Sequence, residues 1–84
     1  AQMSGSILVV EDEPAIQELV SFTCATNGYK VRRADSVGAA QEAIRSELPD
    51  LVILDWMLPD RGGIDLLRDL RAQERTRALP VIML

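Results

Sequence analysis

The sequence predicts an α/β domain built on a parallel sheet, and three observations carry that expectation. Ile7-Leu8-Val9-Val10 and Leu51-Val52-Ile53-Leu54 are short, continuous apolar runs rich in β-branched residues. Strands of a parallel sheet are covered on both faces, so they read as unbroken apolar runs rather than alternating ones. The segments between such runs carry helical periodicity. Both runs also stop abruptly at acid: the first runs into Glu11-Asp12-Glu13-Pro14, the second into Asp55. Ligands of open α/β sheets bind beyond the carboxyl ends of the strands, where the winding direction reverses.

The elements follow in order. Residues 7–10 form the first strand. Pro14 suits the first turn of a helix, where its missing N–H costs nothing. Asp12 or Glu13 can cap that turn and meet the positive end of the helix dipole. Ile16, Leu19, Val20 and Thr23 share one face of this helix, with Phe22 to one side, and Asn27-Gly28 ends it. Residues 29–34 make a short second strand. Asp35-Ser36 supplies a cap, and Val37, Ala40, Ala43 and Ile44 form the inner face of a second helix. Gly38 weakens that helix by roughly 1 kcal/mol relative to alanine. Leu48-Pro49-Asp50 is a break before the third strand, residues 51–54. Pro59, Asp60, Gly62 and Gly63 mark a loop after Asp55. Leu66, Leu67 and Leu70 stripe a third helix over residues 64–73. A polar connection leads to a fourth apolar run, residues 81–84. The order is β-α-β-α-β-α-β, with right-handed crossovers expected.

Composition excludes several classes. The chain has 84 residues, 48% hydrophobic and 26% charged, enough for one small globular domain. A net charge of −4 argues against a nucleic-acid surface within these residues. No apolar run approaches the roughly 18 residues of a membrane helix, and the first six residues lack the regions of a signal peptide. Met3 is the expected natural start. Cys24 is the only cysteine and no histidine is present. An intrachain disulfide is therefore impossible, a cytoplasmic setting fits, and a buried apolar role for Cys24 is expected. Arg68, Arg71, Arg75 and Arg77 interleave with Asp65, Asp69 and Glu74, which describes a solvated face with local ion pairs.

The carboxylates carry the chemistry. Glu11, Asp12 and Asp55 at the ends of two buried strands would meet around one crevice. Crowded carboxylates repel one another and hold protons more tightly unless a cation intervenes. Such a pocket repels bare phosphate and attracts a hard divalent cation such as magnesium, which takes oxygen ligands in octahedral array and keeps several waters. Asp55 can then act as a nucleophile and form an acyl phosphate. Taken alone, either cluster is more simply a helix cap or a loop start; their joint placement changes the balance.

The runs Ile7-Leu8-Val9-Val10-Glu11-Asp12-Glu13 and Leu51-Val52-Ile53-Leu54-Asp55-Trp56-Met57-Leu58-Pro59, with Asp60 to Gly63 and Leu79-Pro80-Val81-Ile82-Met83-Leu84, resemble the response-regulator receiver domains of two-component systems. The resemblance covers nearly everything after Met3 and is strongest to the OmpR/PhoB class. It implies a flavodoxin-like, doubly wound parallel sheet of order 2-1-3-4-5, present here through the fourth strand. It implies that Asp55 is the phosphoacceptor, that Asp12 binds magnesium directly and Glu11 through water, and that Met57 contributes its backbone carbonyl. Trp56 would report on the site or gate it. The phosphoryl donor would be a phosphohistidine on a sensor histidine kinase. The family's Ser or Thr after the fourth strand and Lys after the fifth would both fall beyond Leu84. So would the last two helices, through which homodimers form in this class, and any DNA-binding effector domain. A cytoplasmic, bacterial regulator of transcription is expected, and no membrane contact.

Three rivals are weaker. A phosphatase of the haloacid dehalogenase type needs a general-acid aspartate two residues after the nucleophile, and Met57 cannot transfer a proton. A flavin or nucleotide module needs a phosphate loop after the first strand, where Glu11-Asp12-Glu13 has the wrong charge. A receiver-like domain without phosphorylation would not need Glu11, Asp12 and Asp55 together.

Overall fold

The computed structural model describes residues 5–84; the expected start at Met3 lies outside them. Strands β1 (Ser6–Val10), β2 (Lys30–Ala34), β3 (Leu51–Leu54) and β4 (Val81–Met83) alternate with helices α1 (Pro14–Thr26), α2 (Val37–Ser46) and α3 (Gly63–Ala72). All strand pairings are parallel, and the order across the sheet is β2-β1-β3-β4. The predicted elements are all present, shifted by a residue or two at their ends.

Alternation of side chains across the sheet creates two interior layers. Leu8, Val10, Val52 and Leu54 point to one face and pack with Val37, Ala40 and Ile44 of α2 and Leu66 and Leu70 of α3. Leu79 closes the same cluster from the connection before β4. Ile7 and Val9 are buried as well, although they stand outside that cluster, and α1 packs against β1 and β2.

The face of α1 requires a correction. Ile16, Leu19, Phe22 and Thr23 are exposed, with Leu19 at 65% and Phe22 at 62%. The inward residues are Gln17, Val20, Ser21 and Cys24, of which only Ser21 is fully buried. The N-terminal tether accounts for this rotation. The Gln17 amide donates to the carbonyls of Glu11 (2.7 Å) and Ala34 (3.3 Å), which turns Gln17 toward the strand ends and carries Ser21 and Cys24 inward with it. Cys24 is a free, half-buried thiol.

Remote side chains fasten the ends of the elements. Arg32 on β2 donates to the carbonyls of Ala43 (2.8 Å) and Glu47 at the C-terminus of α2, where a cation also suits the helix dipole. Arg71 gathers the carbonyls of Arg77 (3.1 Å) and Leu79 (2.8 Å). Asp50 accepts from Ser6 N–H at 2.8 Å and anchors the start of β1. Of the ion pairs expected around α3, Arg68 meets Asp65 (3.6 Å), whereas Asp69 pairs with Arg61 of the preceding loop (3.0 Å).

Candidate metal and phosphoacceptor site

Parallel register brings the two acidic sequences together. Val10 pairs with Leu54 as β1 and β3 end side by side, and Asp55 N–H donates to the Val10 carbonyl at 3.0 Å. Glu11 leaves the sheet after bonding the Ala34 carbonyl through its own N–H (2.9 Å). Glu11, Asp12 and Asp55 each offer a carboxylate oxygen within 4.8 Å of the others. Glu11 is buried, Asp55 half-buried and Asp12 exposed, so the cluster opens to solvent through Asp12.

Local bonds orient each carboxylate. Glu11 accepts from Glu13 N–H at 3.0 Å. Glu13 caps α1 by accepting from Ala15 N–H at 3.3 Å, and Pro14 opens the helix behind it. Asp55 Oδ1 accepts from Trp56 N–H at 2.9 Å, which fixes the plane of the carboxylate. Burial pushes the Glu11 carboxyl above its ordinary value of 4.5; the Glu13 N–H pulls it back, and the charges of Asp55 and Asp12 raise it further. A buried anion repelled by two neighbours gains from a cation. The donor set consists of hard oxygens at adjoining strand ends, which fits magnesium or a similar divalent ion.

The loop after Asp55 is closed on itself. Met57 forms an antiparallel bridge with Gly62, and Gly63 N–H donates to the Trp56 carbonyl at 2.7 Å. A Cβ on Gly63 would lie 2.1 Å from the Asp55 carbonyl oxygen, so glycine is required by close approach of the backbone. The side chains of Trp56 and Met57 are exposed, at 54% and 79%. A shallow cleft beside Asp12 is lined by Pro14, Gln17, Arg33 and Asp35. The cleft between α2 and α3, lined by Gln41, Ile44, Leu66 and Asp69, shares no residue with the carboxylates.

Sequence reasoning missed the role of Asp60. Its two oxygens accept from Val37 N–H and Gly38 N–H, each at 2.9 Å, and so cap α2 from the loop that follows β3. No local signal announces a partner 22 or 23 residues away. These bonds hold the Asp60 carboxyl below its ordinary value of 3.8.

Comparison with known proteins agrees with this fold. The family model described as "Response regulator receiver domain" matches residues 7–84. The chain is 42% identical over 82 residues to the phosphate regulon transcriptional regulatory protein PhoB of Escherichia coli, covering 98% of this chain and 36% of that protein. The PhoB protein of Rhizobium meliloti is 43% identical over 82 residues, with the same coverage. The chain thus spans about a third of the length of these relatives. Among solved structures, the N-terminal domain of a response regulator receiver protein from Methanoculleus marisnigri superposes with a TM-score of 0.89 at 34% identity, covering 94% of this chain and 64% of that one. The phosphorylated cyanobacterial phytochrome response regulator RcpA superposes with a TM-score of 0.86 at 26% identity, covering 96% and 64%.

Proposed function

The chain belongs to the response regulator receiver family, and on that premise we propose that it is the phosphoryl-accepting part of a signalling switch, with Asp55 as acceptor. A receiver of a two-component system implies a cognate histidine kinase, and such domains are not classical enzymes. The observation that carries the reading is the convergence of Glu11, Asp12 and Asp55 within 4.8 Å at the ends of adjacent strands.

Each residue has a task. A carboxylate oxygen of Asp55 attacks phosphorus; the phosphorus–nitrogen bond of the kinase's phosphohistidine breaks, and its electron pair returns to the imidazole. Trp56 N–H keeps the carboxylate in one orientation. Asp12 would bind magnesium directly, Glu11 through water, with the Met57 backbone carbonyl and Asp55 completing the protein's share. Bound magnesium would supply the positive charge that lets an acidic pocket accept a phosphoryl group. Trp56 follows the acceptor directly, and its exposed indole would report on occupancy or gate the site.

The 84 residues form the N-terminal part of the receiver domain in this reading, with a DNA-binding effector and a dimerising C-terminal face elsewhere in the protein. The similarity to PhoB proteins supports transcriptional output in a bacterial cytoplasm. No helix among the described residues is long and apolar enough to cross a membrane.

Magnesium titration tests the metal half. Melting should rise by an amount equivalent to about 2.7 kcal/mol at a hundred times the dissociation constant, and Trp56 fluorescence should change. Asp12→Ala should lose both responses; retention of both in that variant would refute the assignment.

A further inference from the structure

We propose that Asp60 is a positioning residue for the metal site, holding the loop that follows Asp55 against the N-terminus of α2. The inference rests on the metal reading above and concerns a residue outside the carboxylate cluster.

The first helical N–H groups of α2 are satisfied from two sources. Ser36 caps locally, its Oγ accepting from Ala39 N–H at 3.0 Å. Val37 and Gly38 donate instead to Asp60, one to each carboxylate oxygen. An ionised acceptor makes the stronger kind of hydrogen bond, and the helix dipole adds to the attraction. Asp60 Oδ1 also accepts from Arg61 N–H at 2.9 Å, which fixes the carboxylate relative to its own backbone. The next side chain grips the other helix: Arg61 pairs with Asp69 of α3 at 3.0 Å, and Asp69 accepts from Gln41 of α2 at 3.1 Å. Two consecutive residues thus fasten the loop to α2 and to α3.

That loop is the one that must present a metal ligand. Asp55 begins it, and the bridge between Met57 and Gly62 closes its base around Leu58, Pro59, Asp60 and Arg61. The Met57 carbonyl has no side-chain rotamer to adjust, so its position follows the loop as a body. Ser36 reaches only Ala39 N–H, so the Val37 and Gly38 donors that a helix start leaves orphaned are met from the loop itself, which ties loop and helix start together. Asp60 is exposed, and water would solvate it at no loss if its sole task were solubility. Its two-oxygen grip on main-chain donors 22 and 23 residues away restrains the loop as much as the helix.

The experiment compares Asp60→Ala, Asp60→Asn and Ser36→Ala in the full-length protein. Ser36→Ala removes a cap from the same helix without touching the loop. Magnesium affinity is read by Trp56 fluorescence, and amide hydrogen exchange over residues 56–62 is read without metal. Asp60→Ala should weaken magnesium roughly tenfold, the lower end of the range for residues that orient metal ligands, and speed exchange in the loop. Ser36→Ala should leave both at wild-type values even where it lowers the melting temperature. Asp60→Asn keeps one acceptor oxygen, keeps the fold testable, and should fall between. Wild-type affinity and exchange in both Asp60 variants would overturn the proposal, as would an equal loss in Ser36→Ala. Failure of the metal reading looks different: the wild type itself would not titrate, and the proposal would fall with it.

Discussion

Gly63→Ala makes the sharpest demand on the structure. The added Cβ would stand 2.1 Å from the Asp55 carbonyl oxygen, 3.1 Å from its carbon and 3.3 Å from the Trp56 carbonyl oxygen. Carbon atoms in ordinary contact sit about 3.5–4.0 Å apart, so the backbone beside the acceptor must shift by more than an ångström. Overpacking of this kind costs about 1–3 kcal/mol. The shift also strains the bond from Gly63 N–H to the Trp56 carbonyl, a further loss of about 1 kcal/mol. The expected destabilisation is about 3 kcal/mol, a large part of the 5–15 kcal/mol that holds a typical domain. Urea denaturation measures it, and a slope of about 1–3 kcal/mol per molar places the midpoint shift at one to three molar. Gly38→Ala is the control. Its Cβ would meet only Asp60 Oδ2 at 3.5 Å, an ordinary contact, so alanine should stabilise α2 by up to about 1 kcal/mol. Gly63→Ala within 0.5 kcal/mol of wild type, roughly the scatter of neutral surface substitutions, would refute the close-approach argument.

Three other outcomes follow from single side chains. Glu11 has a folded pKa above 4.5, so its ionised form opposes folding, by an amount absent below pH 4.5 and growing as pH rises through the folded value. Glu11→Gln should therefore raise the melting temperature of the metal-free protein at pH 7, lose that advantage at pH 4, and weaken the magnesium response. Asp60 has the opposite sign: its folded pKa lies below 3.8, so its contribution is present above pH 3.8 and is lost as pH falls through the folded value. Acid unfolding of Asp60→Asn should accordingly be less steep than that of the wild type. Ser21 buries a hydroxyl that has no hydrogen-bond partner among the described residues, so Ser21→Ala should be stabilising by up to about 1 kcal/mol in urea denaturation.

The strands were legible because a parallel sheet demands apolar residues on both faces, and the runs of β1 and β3 meet that demand without interruption. The carboxylate cluster was legible for a related reason. Glu11 and Asp55 directly follow those runs, so knowing that the strands are neighbours is enough to bring the acids together. The face of α1 was not, because periodicity marks an apolar stripe without saying what covers it. The rotation of α1 depends on Gln17 reaching two backbone carbonyls, a tertiary bond with no helical period. Asp60, Asp50 and Arg32 were opaque in the same way. Each fastens backbone groups far away in sequence, and a lone acid in a loop carries no trace of its partner.

The most direct test of the central claim is the site of phosphorylation. The full-length protein would be treated with acetyl phosphate and magnesium, then examined by intact mass and peptide mapping. One added phosphoryl group is expected, on Asp55, labile to hydroxylamine and dependent on the metal. Asp55→Asn should take up none. Phosphorylation of that variant at wild-type yield would contradict the account.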